Sequence, residues 1–174
     1  MNLKYKSGGQ VSDSVGLLVS ILVRYPEVGT INVDQAEQLL KFTFFLTKEA
    51  SDLEHYCEDL KTSLQLFNQL EGRSCRVCSL DFRQEEGVVV FEVKRDIETV
   101  TQNELNLLVD LFRQYFFDTL VSDQGEEVPE EELLMQDEII RHMLENLRAN
   151  RLDKSVLALR EEGRVLVFNK QPRE

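Results

Sequence analysis

The segment from Arg73 to Leu120 constrains the fold most, because it predicts a β-hairpin followed by a long amphipathic helix. Apolar residues alternate with polar ones over 75–83 and again over 88–95, which is typical of strands with one buried face. The polar loop between these runs ends in Gly87, and glycine accepts the positive φ that a tight hairpin turn requires. We therefore expect two antiparallel strands joined by a short turn.

The helix after this hairpin has a well-marked start. Thr101 and Glu104 have the spacing of a capping box, in which each side chain accepts a hydrogen bond from the backbone N–H of the other. Val100 and Leu105 flank the cap as a hydrophobic staple. The apolar residues then recur every three or four positions, at Leu105, Leu108, Val109, Phe112 and Phe116. This spacing predicts a helix with a broad apolar face that packs on its own sheet and on a neighbour.

An earlier segment, 28–46, predicts a second hairpin. β-branched and aromatic residues are frequent in 28–33 and 39–46, and such residues favour strands. The intervening turn contains no glycine, so a single helix over 33–46 is the alternative interpretation.

A helix is expected to follow this hairpin as far as Leu70. Ser51 and Glu54 repeat the capping-box spacing, and Gly72 is typical of a helix end. The order strand, strand, helix therefore occurs twice along the chain. Because residue identity between the two segments is slight, a duplicated ββα unit and independent recurrence both remain open.

The ends of the chain add further elements. Ser12 or Asp13 is expected to cap a first helix that ends before Pro26, although its β-branched residues leave a strand as the alternative. Near the other end, an apolar stripe predicts a helix over about 129–150, and the Glu-Glu-Gly turn recurs in a third hairpin over 156–168.

Together these elements predict an α+β fold with up to six strands in three antiparallel hairpins and about four helices on one face of the sheet. We expect residues 1–122 to form the core domain of ββα units and 123–132 to form an acidic linker. Residues 133–174 are then a C-terminal helix and hairpin that pack on the core or on a second subunit.

The charge of the chain excludes broad binding to nucleic-acid backbones. The 174 residues carry a formal charge of −12, and the segment 123–138 alone contributes −8 of it. Phosphate backbones are bound by clustered lysine and arginine, so nucleic acid is not expected as a partner. The acidic segment predicts at most a docking site for a basic protein.

The sequence also predicts a cytoplasmic protein that does not enter a membrane. The longest apolar run, Val15–Val23, is about half the ~20 residues that a membrane span requires. The start of the chain lacks the pattern of a signal peptide, and three cysteines do not form a disulfide framework.

Candidate metal ligands are Cys75, Cys78, Cys57 and His55, since Cys-x-x-Cys is a spacing found in zinc and redox sites. We expect no metal there. On a regular strand the thiols of Cys75 and Cys78 face opposite sides, and His55 and Cys57 diverge on a helix. Cys57 and Cys78 are interpreted as small core residues and Cys75 as a surface or edge thiol.

The sequence contains no recognisable catalytic constellation and implies no cofactor. The two histidines, His55 and His142, pair with no nucleophile at a known spacing. An alternative hypothesis is a small-ligand or enzymatic pocket between sheet and helices, with Cys75, His55 or His142 near its rim. A weaker one is a local RNA contact through basic residues at the ends of the central hairpin, namely Arg73, Arg76, Arg83, Lys94 and Arg95.

The leading hypothesis is a non-catalytic protein–protein interaction or regulatory module that forms a homodimer, because the chain has more apolar surface than obvious cover. Its contact would be either the edge of a hairpin or the helix over 129–150. The interface candidates on that helix are Leu133, Ile140, Met143, Leu144 and Leu147.

Overall fold

The structure, a computed structural model, describes residues 12–47, 51–152 and 154–170. Within these ranges the chain has the α+β fold that the sequence predicts, with six strands and four α-helices. The strands are β1 (Thr30–Asp34), β2 (Leu39–Leu46), β3 (Cys78–Glu85), β4 (Val88–Asp96), β5 (Val156–Glu161) and β6 (Arg164–Asn169). The helices are α1 (Asp13–Arg24), α2 (Leu53–Leu70), α3 (Gln102–Tyr115) and α4 (Glu130–Asn150).

All six strands form one antiparallel sheet in the order β3-β4-β2-β1-β5-β6. Strand β1 lies between β2 and β5, so the C-terminal hairpin extends the sheet of its own chain. Beyond the first residue of β1, which lies opposite Thr43, the segment after α3 takes the place of β1 beside β2. The amide of Val121 donates to the carbonyl of Phe45 over 2.8 Å, and Leu46 forms an isolated antiparallel β-bridge with Leu120.

The core lies between the helices and one face of the sheet. Strand alternation places Phe42, Phe44 and Phe91 on this face, and all three are buried. The ring of Phe112 on α3 stacks on Phe44 with a centroid separation of 4.0 Å. Helix α4 packs mainly on α1. Because full burial of each such side chain stabilises the fold by ~1.5–3 kcal/mol, this layer is the main source of stability.

The segment over 28–46 is a hairpin, as preferred from the sequence, and not a helix. Gln38 occupies the positive-φ position (55°) that glycine would favour in its turn. The Gln38 side chain is held by Leu152, in the connection between α4 and β5. Its Nε2 donates to the Leu152 carbonyl over 3.3 Å, and the Leu152 amide donates to its Oε1 over 2.9 Å. A contact distant in sequence therefore stabilises a turn that lacks glycine.

The predicted helix caps are correct in part. Ser12 caps α1, and Thr101 caps α3 by accepting from the Glu104 amide over 3.2 Å. The capping box predicted at Ser51 is wrong, because α2 begins after Asp52, whose side chain makes no capping hydrogen bond. The two helix starts therefore differ, and the duplicated ββα unit stays a prediction.

No helix among the described residues is long and apolar enough to cross a membrane.

Candidate functional site

The sheet face opposite the helices changes character from one edge to the other. Around β3 and β4 it is charged: Arg83 Nη1 lies 3.0 Å from Glu92 Oε1, and Lys41 Nζ lies 3.3 Å from the same oxygen. On β5 and β6 the middle of the same face is apolar, and the charged residues Glu161 and Arg164 of these strands lie at the turn end. Its residues there are Leu157, Leu159, Leu166 and Phe168. These four residues are called the β5–β6 patch below.

The register of the last hairpin makes the β5–β6 patch continuous. Leu157 lies opposite Phe168, and Leu159 lies opposite Leu166. Directly opposed side chains in an antiparallel pair touch, so the patch consists of two adjacent cross-strand pairs. The patch is partly accessible, and Phe168 is 49% exposed. Contiguous exposed apolar groups of this kind mark contact surfaces more often than scattered ones do.

The outer edge of β6 presents backbone groups in a defined pattern. The amide of Lys170 donates to the carbonyl of Ser155 over 2.8 Å, which marks this as a hydrogen-bonded pair. Since hydrogen-bonded and open pairs alternate along an antiparallel ladder, the amides and carbonyls of Val165, Val167 and Asn169 point away from β5. In the part of the chain that the structure describes, β6 pairs with β5 alone.

The two edges of the sheet differ in their protection. Strand β3 carries Asp81, Arg83 and Glu85 on the open face, and charges at an edge prevent pairing with another strand. Strand β6 has no charge from Val165 to Phe168. A regular, apolar and uncharged edge is the type that accepts a further strand.

Three of the five interface candidates predicted on α4 are core residues. Ile140, Leu144 and Leu147 are at most 2% exposed. The apolar stripe of α4 is covered by the same chain, so these three side chains are not available to a partner. Leu133 and Met143 are half-buried, and Met143 Sδ accepts a hydrogen bond from Ser20. The large apolar side chains that α4 exposes are Leu134, Met135 and Ile139.

The predicted metal ligands lie in three different environments. His55 is exposed beside Asp59, and Cys57 is buried on α2. Cys75 precedes β3, which begins only at Cys78, so the expectation that their thiols diverge on one strand is wrong. The two thiols instead interact with each other. Among the described residues, no three metal-binding side chains cluster.

Burial makes these cysteines weak nucleophiles. It raises the pKa of the Cys57 thiol to about 11 and that of Cys78 to about 12, and it also raises the pKa of Cys75. Because the thiolate is the reactive form, little of it is present at neutral pH. His142 is exposed on α4.

The arginines predicted for RNA contact do not form one surface. Arg95 is wholly buried, so it cannot contact RNA. Arg83 pairs with Glu92, and Arg76 lies 3.6 Å from Glu98.

Arg95 instead organises a buried ionic cluster that was not predicted. Its Nε and Nη2 donate to the two carboxylate oxygens of Glu104 over 2.6 and 2.8 Å, and its Nη1 donates to Asp96 over 2.6 Å. Burial alone would lower the pKa of Arg95, but the hydrogen-bonded Glu104 raises it. Burial alone would raise the pKa of Asp96, but hydrogen bonds from the Val77 amide and Thr99 lower it.

A signal for this cluster was present in the sequence. The inward positions of β4, which include Phe91 and Val93, continue in register to Arg95. Glu104 turns its carboxylate to Arg95 rather than back to the helix start as a capping box would require.

The acidic segment 123–138 is partly neutralised within the chain. Asp137 is buried and accepts a 2.7 Å hydrogen bond from Arg24 Nε. Asp123 lies 3.7 Å from Arg160. The six glutamates of this segment are exposed.

No protein-family model, curated protein or solved structure matches this chain.

Proposed function

We propose that this chain is a non-catalytic cytoplasmic interaction protein that works as a homodimer, with β6 as the contact between the two copies. The contrast between the two sheet edges supports this proposal most directly. Strand β3 is charged at its edge, whereas β6 has four consecutive apolar residues and an open row of backbone groups.

A second copy fits this edge by symmetry. A two-fold axis perpendicular to the sheet brings two β6 strands together antiparallel, and each then presents the same groups to the other. The outward amides of Val165 and Val167 meet carbonyls of the second copy in such a ladder. This axis places the patch-bearing face of both sheets on the same side of the dimer. Leu166 and Phe168 of one copy therefore lie next to those of the other. The dimer contact therefore combines backbone hydrogen bonds between the two β6 strands with burial of apolar side chains.

The absence of an assembled reactive centre among the described residues is consistent with an interaction role. The buried ionic cluster around Arg95 is closed to solvent, and the cysteines have raised pKa values. The three thiols are unpaired, as expected in a reducing compartment.

The test is the subunit number of a variant that removes one outward amide. Val167→Pro removes an N–H that faces away from β5, so the hairpin within the chain keeps its hydrogen bonds. We expect sedimentation velocity and native mass spectrometry to give a dimer for the native chain and a monomer for Val167→Pro.

The matched control is Gln84→Pro. By the same alternation, the Gln84 amide also points outward, but on the charged edge at β3. The Gln84→Pro variant should remain a dimer. Leu166→Lys tests the apolar patch without changing the backbone and should also give a monomer. A native chain that is monomeric at every concentration overturns the proposal, as does a Val167→Pro variant that folds and still dimerises.

A further inference from the structure

An arginine-lined cleft lies on the helical side of the molecule, opposite the face that carries the β5–β6 patch. Arg73 reaches it from the loop after α2, and Arg141 and Arg148 reach it from α4. The start of α3 closes one side through Gln102 and Asn103. The cleft has a volume of about 120 Å³, well above the ~10–15 Å³ that suffices for one water molecule. It is therefore large enough for one small anionic group.

The positive charges in the cleft are incompletely neutralised. Among the described residues, Arg73 has no carboxylate within ion-pair distance. Arg148 donates to the carbonyls of Ile97 and Val100 and not to a carboxylate. Arg141 does pair with Glu138 and also donates to the Gln102 side chain over 3.2 Å.

Arg73 and Arg148 are close enough to repel each other. Burial is the main reason that the pKa of Arg148 is lowered. The charge of Arg73 lowers it further, and the carboxylates of Glu145 and Asp96 offset part of this shift. The carboxylates of Glu71 and Glu145 also line the cleft, and both residues are exposed. An anion between the arginines would relieve the repulsion between Arg73 and Arg148.

The geometry of the donors suits a phosphate group. A guanidinium has five N–H donors in a planar fork that matches two oxygens of a phosphate. The hydrogen bonds described above use only part of this capacity in Arg141 and Arg148. Gln102 and Asn103 also line the cleft, and they stand in the first turn of α3, where backbone amides have no acceptor within their own helix. A phosphate dianion has four oxygens that can accept hydrogen bonds from such donors.

We propose that this cleft binds a single phosphate group, either as inorganic phosphate or as the phosphate of a small ester. The three arginines carry the proposal, and the start of α3 supplies additional donors. This site is independent of the proposed dimer contact.

The experiment is calorimetric titration of the full chain with inorganic phosphate in a buffer of low ionic strength that contains no other multivalent anion. Binding is expected for the native chain. Arg73→Gln removes a guanidinium that makes no ion pair with the described residues, so the fold should be retained. Loss of one charged hydrogen bond predicts a binding constant about ten- to a hundredfold weaker.

Arg83→Gln is the matched control, because it removes the same charge from an exposed arginine outside the cleft. It should bind phosphate as the native chain does. Arg141→Gln removes a second arginine of the cleft and should also weaken binding. It tests the site even if the Arg73→Gln variant folds poorly. Glycerol phosphate, titrated in parallel, distinguishes inorganic phosphate from a phosphate ester as the ligand. An affinity equal to that of inorganic phosphate identifies the free anion as the ligand, and a higher affinity for glycerol phosphate identifies an ester. No binding by the native chain, or equal weakening by Arg83→Gln, overturns the proposal.

Discussion

Replacing Arg95 with methionine is expected to destabilise the fold strongly, because it leaves buried carboxylates without their cation. Arg95 makes five hydrogen bonds in the closed interior, two of them to Glu104. Breaking a buried ion pair by removing one partner costs ~3–5 kcal/mol. With a urea m-value of ~2–3 kcal/mol per molar, the unfolding midpoint should fall by about 1–2.5 M.

Urea denaturation followed by circular dichroism measures this shift, and two variants calibrate it. Arg83→Met removes an exposed arginine that is 3.0 Å from Glu92, and it should cost no more than ~1 kcal/mol. Arg95→Met combined with Glu104→Leu replaces both charges by apolar groups and should recover part of the loss. A midpoint shift for Arg95→Met no larger than that for Arg83→Met would refute the reasoning, since the buried guanidinium would then contribute nothing beyond an exposed one.

Two further predictions concern buried polar groups. Gln38→Ala leaves the backbone amide and carbonyl of Leu152 without their side-chain partner. It should lower the free energy of unfolding by ~1–3 kcal/mol in the same assay, whereas an unchanged midpoint would mean that water replaces the side chain. Burial raises the pKa of Tyr25 to about 12, from 10.0, and that of Cys78 to about 12, from 9.0. Their stabilising contribution is therefore fully present below pH 9 and is lost as the pH rises towards 12. The urea midpoint should fall across this range, and a constant midpoint between pH 9 and 11 would contradict the predicted linkage.

The sequence predicted the candidate contact at β6 only in part. The excess of apolar residues indicated that a hairpin edge could be the contact. Which edge remained open depended on the strand order, because pairing to β1 decides whether β5 or β6 ends the sheet. The α4 stripe shows the opposite case. Its spacing correctly indicated an apolar face, but spacing does not reveal whether that face meets α1 of the same chain or a second copy.

Local chemistry in the sequence determined the individual elements of this protein. Glycine after glutamate sets the positive-φ turns at 86–87 and 162–163, a threonine hydroxyl caps α3, and alternation marks the strands. These effects act between residues that are close along the chain, so they can be recognised without coordinates.

The tertiary structure alone decided how the elements meet. Three contacts depend on the relative positions of whole helices and strands in the folded chain. They are the pairing of β1 with β5, the contact of Gln38 with Leu152 and the burial of Arg95 beside Glu104. The first two join residues more than a hundred positions apart, and no local spacing specifies such partners. Arg95 is only nine residues from Glu104, yet its burial requires the sheet below and the helices above. Close packing of the core selects one arrangement from many that the local patterns permit.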